Sequence, residues 1–139
     1  MERDRQDPKM TKDQILKHYE TSGFRKACGI HIDYDSRSDS FTGWLEVLPM
    51  HLNGSGHIHG GLLYTLADNV GGANARQYSD HVTTLDSDFH FLSSTATRYL
   101  RGRSELIRNG GAIVVLQIRL YDDCDEVLAE GTFTYYKLD

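Results

Sequence analysis

The segment Asn53-Gly-Ser-Gly-His-Ile-His-Gly-Gly61 runs straight into Leu62-Leu-Tyr-Thr-Leu-Ala-Asp68, and these residue types at this spacing could do chemistry together. Gly60 and Gly61 carry no side chain, so a ligand can approach their backbone N–H groups closely. Those groups open a helix and have no partner inside it. Asp68 follows two turns on, among Leu63, Leu66, Ala67 and Val70. A carboxylate in such company is expensive to bury unless it has a partner or a task. The chemistry implied is a carbonyl polarised by backbone N–H groups beside a carboxylate acting as acid, base or nucleophile. Taken one at a time, the same residues also fit an ordinary turn and a structural acid. His51, His57 and His59 are metal ligands by type. But His57 and His59, two apart and leading into a helix, converge poorly, and no cysteine or carboxylate stands at ligand spacing, so no metal is expected.

The elements that hold this segment follow from periodicity. Thr11-Lys-Asp-Gln14 fits a capping box, Ile15, Leu16 and Tyr19 follow at helical spacing, and Gly23 is the expected stop. From Ala27 the period changes: Ile30, Ile32 and Tyr34 alternate with polar residues as in a strand. Asp35 to Ser40 is a turn, and Phe41 to Leu48 its hairpin partner. Pro49 to Gly56 is irregular. His59 to Gln77 is the one long helical stretch, with Gly71, Gly72, Ala73 and Ala75 in its second half. Small residues there cost helix propensity but let neighbouring backbone approach. Val82–Leu92, Thr97–Arg108, Ala112–Asp122 and Val127–Leu138 read as strands, the last three joined by Asn109-Gly110-Gly111 and by Asp122 to Asp125. Val114, Leu116, Ile118 and Leu120 alternate as a half-buried antiparallel strand should. Tyr135 and Tyr136 read as strand-filling aromatics.

The expected fold class is therefore α+β: a short N-terminal helix, then an antiparallel sheet of about six strands wrapped around one long central helix. One helix cannot cover the edges of such a sheet, so an edge-to-edge dimer is expected. Residues 1–10 are charged, contain Pro8 and read as a flexible tail, leaving residues 11–139 as a single domain. The 139 residues, 39% of them hydrophobic, suffice for one core. A net charge of −5 argues against nucleic-acid binding, which needs a basic footprint. No apolar run reaches membrane-spanning length, and the charged N-terminus is no secretory signal. Cys28 and Cys124 match no metal spacing and read as reduced thiols, so a cytoplasmic location is expected.

This order of elements, with a glycine-rich entry to the buried helix, resembles the hotdog fold, and the local residues resemble its PaaI-type (phenylacetate-pathway) acyl-CoA thioesterases. The family pattern is an Asn, a His-Gly-Gly six positions later, and an Asp nine positions after the His. Asn53, His59-Gly60-Gly61 and Asp68 fall at that spacing, and Thr84 matches a hydroxyl residue two before an Asp on the next strand. The likeness runs from about residue 24 to 136. It implies hydrolysis of an acyl-CoA thioester, with an aromatic acyl group suggested by the family, at a site built from both subunits of a dimer. A homotetramer is the larger assembly expected. Gly60 N–H would polarise the carbonyl, Asn53 and His59 would shape the loop, Asp68 would be general base or nucleophile, and Thr84 would position water. The expected substrate and CoA contacts are Gly61, Tyr64, Asp86, Phe91 and the turn Arg108, Asn109, Gly110 and Gly111. No cofactor is implied, CoA being part of the substrate.

The sequence departs from the family at Gly111 and Ala112, where relatives carry a basic and a hydroxyl residue; Arg101, Arg103 or Arg108 would compensate through charge. Ser94 stands where a proline often follows the Phe-Leu pair, and His57 adds an imidazole next to the motif with no family role. Three other functions fit the same residues. The chain could bind acyl-CoA or an acyl carrier without turnover, or dehydrate 3-hydroxyacyl thioesters, a reaction needing a His base against a carboxylic acid, whereas Asp68 lies in the thioesterase position. It could also be a structural or interaction protein.

Overall fold

A computed structural model of the chain describes residues 10–138. The expected tail, residues 1–10, lies outside the described residues except for Met10, which packs on the Ile15–Tyr19 side of α1. Helix α1 (Lys12–Glu20) opens on the expected capping box: Thr11 Oγ1 accepts from Gln14 N at 3.2 Å, and Gln14 Oε1 accepts from Thr11 N at 2.8 Å. It buries Ile15 and Tyr19 against Phe41 and Ala73. Gly23 does not simply stop it. α1 ends at Glu20 with Thr21 as its cap, and Gly23 begins a second short helix, α2 (Gly23–Ala27), capped by Ser22. The buried Arg25 pins α2 by donating to the carbonyls of Tyr19 and Ile30, so satisfied polar groups hold a turn that propensity would not.

Strands β1 (His31–Asp35), β2 (Ser40–Glu46), β3 (Val82–Phe91), β4 (Tyr99–Asn109), β5 (Ile113–Tyr121) and β6 (Val127–Lys137) form one antiparallel sheet in the order β1-β2-β4-β5-β6-β3. The long helix α3 (Gly60–Ala75) lies against its inner face. Leu62, Leu63, Leu66, Ala67 and Val70 meet Leu45, Leu100, Val114, Leu116, Ile118 and Leu120, the alternating side chains expected of β5 among them. Each large side chain buried there contributes roughly 1.5–3 kcal/mol. Gly71 and Gly72 cost α3 only about 1 kcal/mol each in propensity, so the core sets its position. The buried Asn74 fixes its far end, bonding Phe41 N and O of β2 at 2.8 Å each.

The small residues of α3 serve side chains rather than sheet backbone. A methyl on Gly71 would collide with the Tyr135 hydroxyl, and one on Gly72 would stand 2.5 Å from that of Tyr19. Close backbone approach comes instead from the sheet. Gly43 and Gly102, paired across β2 and β4, leave the room that Val70 fills.

β3 is an edge strand ten residues long, paired with β6 on one side and open on the other. Leu85 and Phe91 on it, and Leu92 just beyond, are each more than half exposed. Such an edge is a template for another chain unless something covers it. Among the described residues no helix is long and apolar enough to cross a membrane.

Candidate active site

The loop before α3 is built by its own polar side chains. Asn53 Oδ1 accepts from Ser55 N at 2.9 Å and His57 N at 3.1 Å, closing a tight turn. His51 is buried, its Nδ1 accepting from Leu48 N at 2.9 Å and its Nε2 against Cys28 O at 2.8 Å. Both of its ring nitrogens are thus engaged inside the fold, and its own carbonyl accepts from His59 N at 2.9 Å. His59 caps α3, with Nδ1 accepting from Gly61 N at 3.2 Å. The Gly61 donor is therefore occupied by a side chain two residues away. The Gly60 N–H, first in the helix, has no acceptor among the described residues and points out of the helix N-terminus.

Nothing among the described residues demands glycine at position 60. Its backbone is helical with no positive φ, and an added Cβ would meet only the Phe91 ring, at 3.4 Å, an ordinary contact. Phe91 stands over Gly60, and Phe89 joins it edge-on at 5.1 Å. Tyr64, one turn along α3, meets Phe89 and Phe133 at 5.6 and 5.3 Å and bonds Ser87 Oγ at 2.6 Å. An aromatic wall therefore flanks the helix N-terminus.

Asp68 is partly exposed on the face of α3 toward β3. Thr84 Oγ1 donates to its Oδ1 at 2.7 Å. The Tyr135 hydroxyl stands 3.1 Å from the same oxygen and 3.1 Å from the Asp68 carbonyl. Asp68 Oδ2 accepts from no donor among the described residues. Tyr135 is buried, which holds its phenol well above the usual range, and the neighbouring Asp68 charge adds to the effect. The phenol therefore stays protonated and can only donate to the carboxylate. Read as a strand-filling aromatic, Tyr135 turns out to be the residue that the sequence reasoning missed. The available signal was Gly71, a costly mid-helix glycine three residues after Asp68, at the place where the hydroxyl needs room.

Of the expected residues, the chain gathers Gly60, Gly61, Tyr64 and Phe91 at one end of α3, and Asp68 with Thr84 near its middle. Asp86 is not among them. Leu85 is an extra residue in β3, between the pairs Thr84↔Tyr135 and Asp86↔Thr134, and this bulge reverses which side chains face the helix. Thr84 lies inward before it and Ser87 and Phe89 after it, so Asp86 points to the outer face with Asp88 and His90. The turn Arg108, Asn109, Gly110 and Gly111 lies at the sheet end nearer Asp68, with Asn109 level with Tyr135 and Thr84 across β5 and β6 and the tip at Gly110 and Gly111 beyond them. It is held by Lys137 Nζ, which donates to Asn109 Oδ1 at 2.6 Å and to Gly110 O at 2.7 Å. Among the described residues no group of three or more His, Cys, Asp or Glu could hold a metal ion.

Residues 55–129 match the family model of the thioesterase superfamily. No curated protein matches the sequence. Among solved structures, the fold is similar to that of the E. coli PaaI protein from the phenylacetic acid degradation operon, at 22% identity and a TM-score of 0.81 over 92% of this chain and 94% of that one. It is similar to thioesterase HI1161 from Haemophilus influenzae, at 20% identity and a TM-score of 0.80 over 93% and 91%. The BH2602 protein from Bacillus halodurans, solved with CoA, is similar at 24% identity and a TM-score of 0.78 over 91% and 87%. The hotdog fold expected from the order of elements is the fold observed.

Proposed function

The chain belongs to the thioesterase superfamily, and we propose that it hydrolyses an acyl-CoA thioester at a site shared between two copies of itself. The observation that carries this reading is the separation of two unfinished groups on one helix. Among the described residues the Gly60 N–H has no acceptor and one Asp68 carboxylate oxygen has no donor. Eight residues of helix put them about 12 Å apart, while an oxyanion donor must come within about 3 Å of the reacting oxygen. One chain cannot bring both to one carbonyl. A two-fold partner joined along β3 would run its α3 antiparallel and set its Asp68 opposite this chain's Gly60. The exposed apolar residues Leu85, Phe91 and Leu92 along that edge support such a joint.

In this mechanism the Gly60 N–H, reinforced by the helix dipole, takes the thioester oxygen as it gains negative charge. The partner's carboxylate removes a proton from water as the water oxygen bonds to the carbonyl carbon, or attacks that carbon itself and is released by water afterwards. In either course the C–S bond breaks, the CoA thiolate leaves with a proton, and the free acid forms. Thr84 holds the carboxylate, while Asn53 and His59 hold the loop that presents Gly60. The acyl group lies against Tyr64, Phe89 and Phe91, a wall suited to an aromatic ring. CoA runs toward the turn at Arg108 to Gly111, where Arg108 supplies positive charge. The assembly is a homodimer, or a homotetramer of two such dimers. The reading puts the protein in the cytoplasm, which suits the free thiols of Cys28 and Cys124.

The test is thiol release from a panel of aryl- and alkyl-acyl-CoAs, wild type beside Asp68→Asn. Turnover by the wild type and its loss in the variant is the expected result. Equal turnover in the variant would remove Asp68 from the reaction. Absence of turnover with every thioester, together with a rise in melting temperature on adding CoA, would make the protein a binder instead. Ligand at 100 times its Kd adds about 2.7 kcal/mol of stability.

A further inference from the structure

We infer that Tyr135 is a positioning residue for the reaction, which fixes the Asp68 carboxylate in one rotamer with Oδ1 engaged and Oδ2 left as the reacting oxygen. The inference rests on the proposed role of Asp68. Three observations lead to it. The Tyr135 hydroxyl stands 3.1 Å from both Asp68 Oδ1 and Asp68 O, so one proton is shared between the carboxylate and the backbone that carries it. Thr84 Oγ1 donates to the same Oδ1 at 2.7 Å, from a different strand. Gly71 leaves the space the hydroxyl occupies, at a position where any residue but proline would be a better helix former.

Among the described residues two donors converge on one oxygen and none on the other, an arrangement with a direct consequence. An aspartate on a helix surface ordinarily samples several rotamers. Here Tyr135 from β6 and Thr84 from β3 both hold Oδ1, leaving Oδ2 for a substrate. The carboxylate is thus oriented before substrate arrives, which removes an ordering cost from the reaction step. Tyr135 touches neither substrate nor reacting atoms in this arrangement. Its ring is fully buried against Phe133, centroids 6.4 Å apart, so its position is set by the core and does not depend on the ligand. Tyr19 makes a useful contrast. It is a second buried phenol, with its hydroxyl fitted against Gly72, the next residue of the same helix. It has no hydrogen bond to the Asp68 carboxylate.

The experiment compares wild type, Tyr135→Phe and Tyr19→Phe by steady-state thiol release, by melting temperature and by crystal structure. In Tyr135→Phe, kcat should fall on the order of 10- to 100-fold, the cost of a misplaced reacting group, with KM within about twofold. Tyr19→Phe should melt lower yet keep the wild-type kcat. The crystal structure of Tyr135→Phe should show Asp68 spread over more than one rotamer. An unchanged kcat in Tyr135→Phe would overturn the inference, and so would an equal kcat loss in both variants, which would mean a general structural role. Should the wild type hydrolyse no thioester, the functional reading falls. The positioning claim is then judged by the Asp68 rotamer alone: dispersal supports it and an unmoved side chain overturns it.

Discussion

Replacing Gly60 by proline isolates the one donor on which the chemistry depends. In most helical positions proline is ruinous, because it removes an intrahelical bond and clashes with the preceding turn, at about 3 kcal/mol. Position 60 is the exception. It is the first residue of α3, so its N–H makes no bond within the helix. The preceding residue, His59, has φ −62 and ψ 130, the extended geometry a pre-proline residue prefers. An added Cβ meets only the Phe91 ring at 3.4 Å. The Gly60→Pro variant should therefore fold with stability within about 1 kcal/mol of wild type, since proline at this position costs no backbone bond and lowers unfolded-chain entropy. Loss of a single oxyanion donor costs about 2.7–4 kcal/mol of transition-state stabilisation, so kcat should fall by roughly 10²- to 10³-fold. Urea denaturation measures the first quantity and thiol release the second. Gly60→Ala, which keeps the N–H while adding bulk, shows how much of the loss is steric. A folded Gly60→Pro protein with wild-type kcat would refute the assignment of the Gly60 N–H as the polarising group.

Two further outcomes follow from the fold. Burial pushes Tyr19 up to about 12 from its ordinary value near 10. The unfolded chain therefore ionises this phenol first as pH rises, so stability is full below pH 10 and is lost between about pH 10 and 12. Two pH units correspond to about 2–3 kcal/mol, so Tyr19→Phe should flatten that part of a urea stability–pH profile; an unaltered slope would contradict it. Leu85 is 58% exposed at the bulge of the edge strand, so Leu85→Lys should leave chain stability within about 0.5 kcal/mol. It should also give a monomer by sedimentation, without turnover. A dimer that persists would place the interface elsewhere.

What the sequence made legible is what depends on local order. The Asn53, His59-Gly60-Gly61 and Asp68 spacing follows a single loop and helix, the Thr11 capping box lies within one turn from Thr11 to Gln14, and the alternation of Val114 to Leu120 is a property of one strand. What stayed hidden depends on pairing. The bulge at Leu85 exists only relative to β6, and without it Asp86 would face inward with Thr84. Tyr135 meets Asp68 from 67 residues away, through a sheet whose strand order no single segment encodes. Gly23 reads as a stop because glycine lowers helix propensity. The observed second helix is held by Ser22 at its cap and by Arg25 reaching carbonyls on both sides, contacts that exist only once the chain has folded back.

The central claim is that each site takes Gly60 from one copy and Asp68 from another, and mixing two inactive proteins tests it most directly. Gly60→Pro and Asp68→Asn are denatured together, refolded in equal amounts and assayed for thiol release. If the site is shared, half of the dimers are mixed, and each mixed dimer has one intact site of two. The mixture should then recover about a quarter of the wild-type rate. If every site were built within one chain, each would carry one defect or the other, and the refolded mixture would be as inactive as its parents.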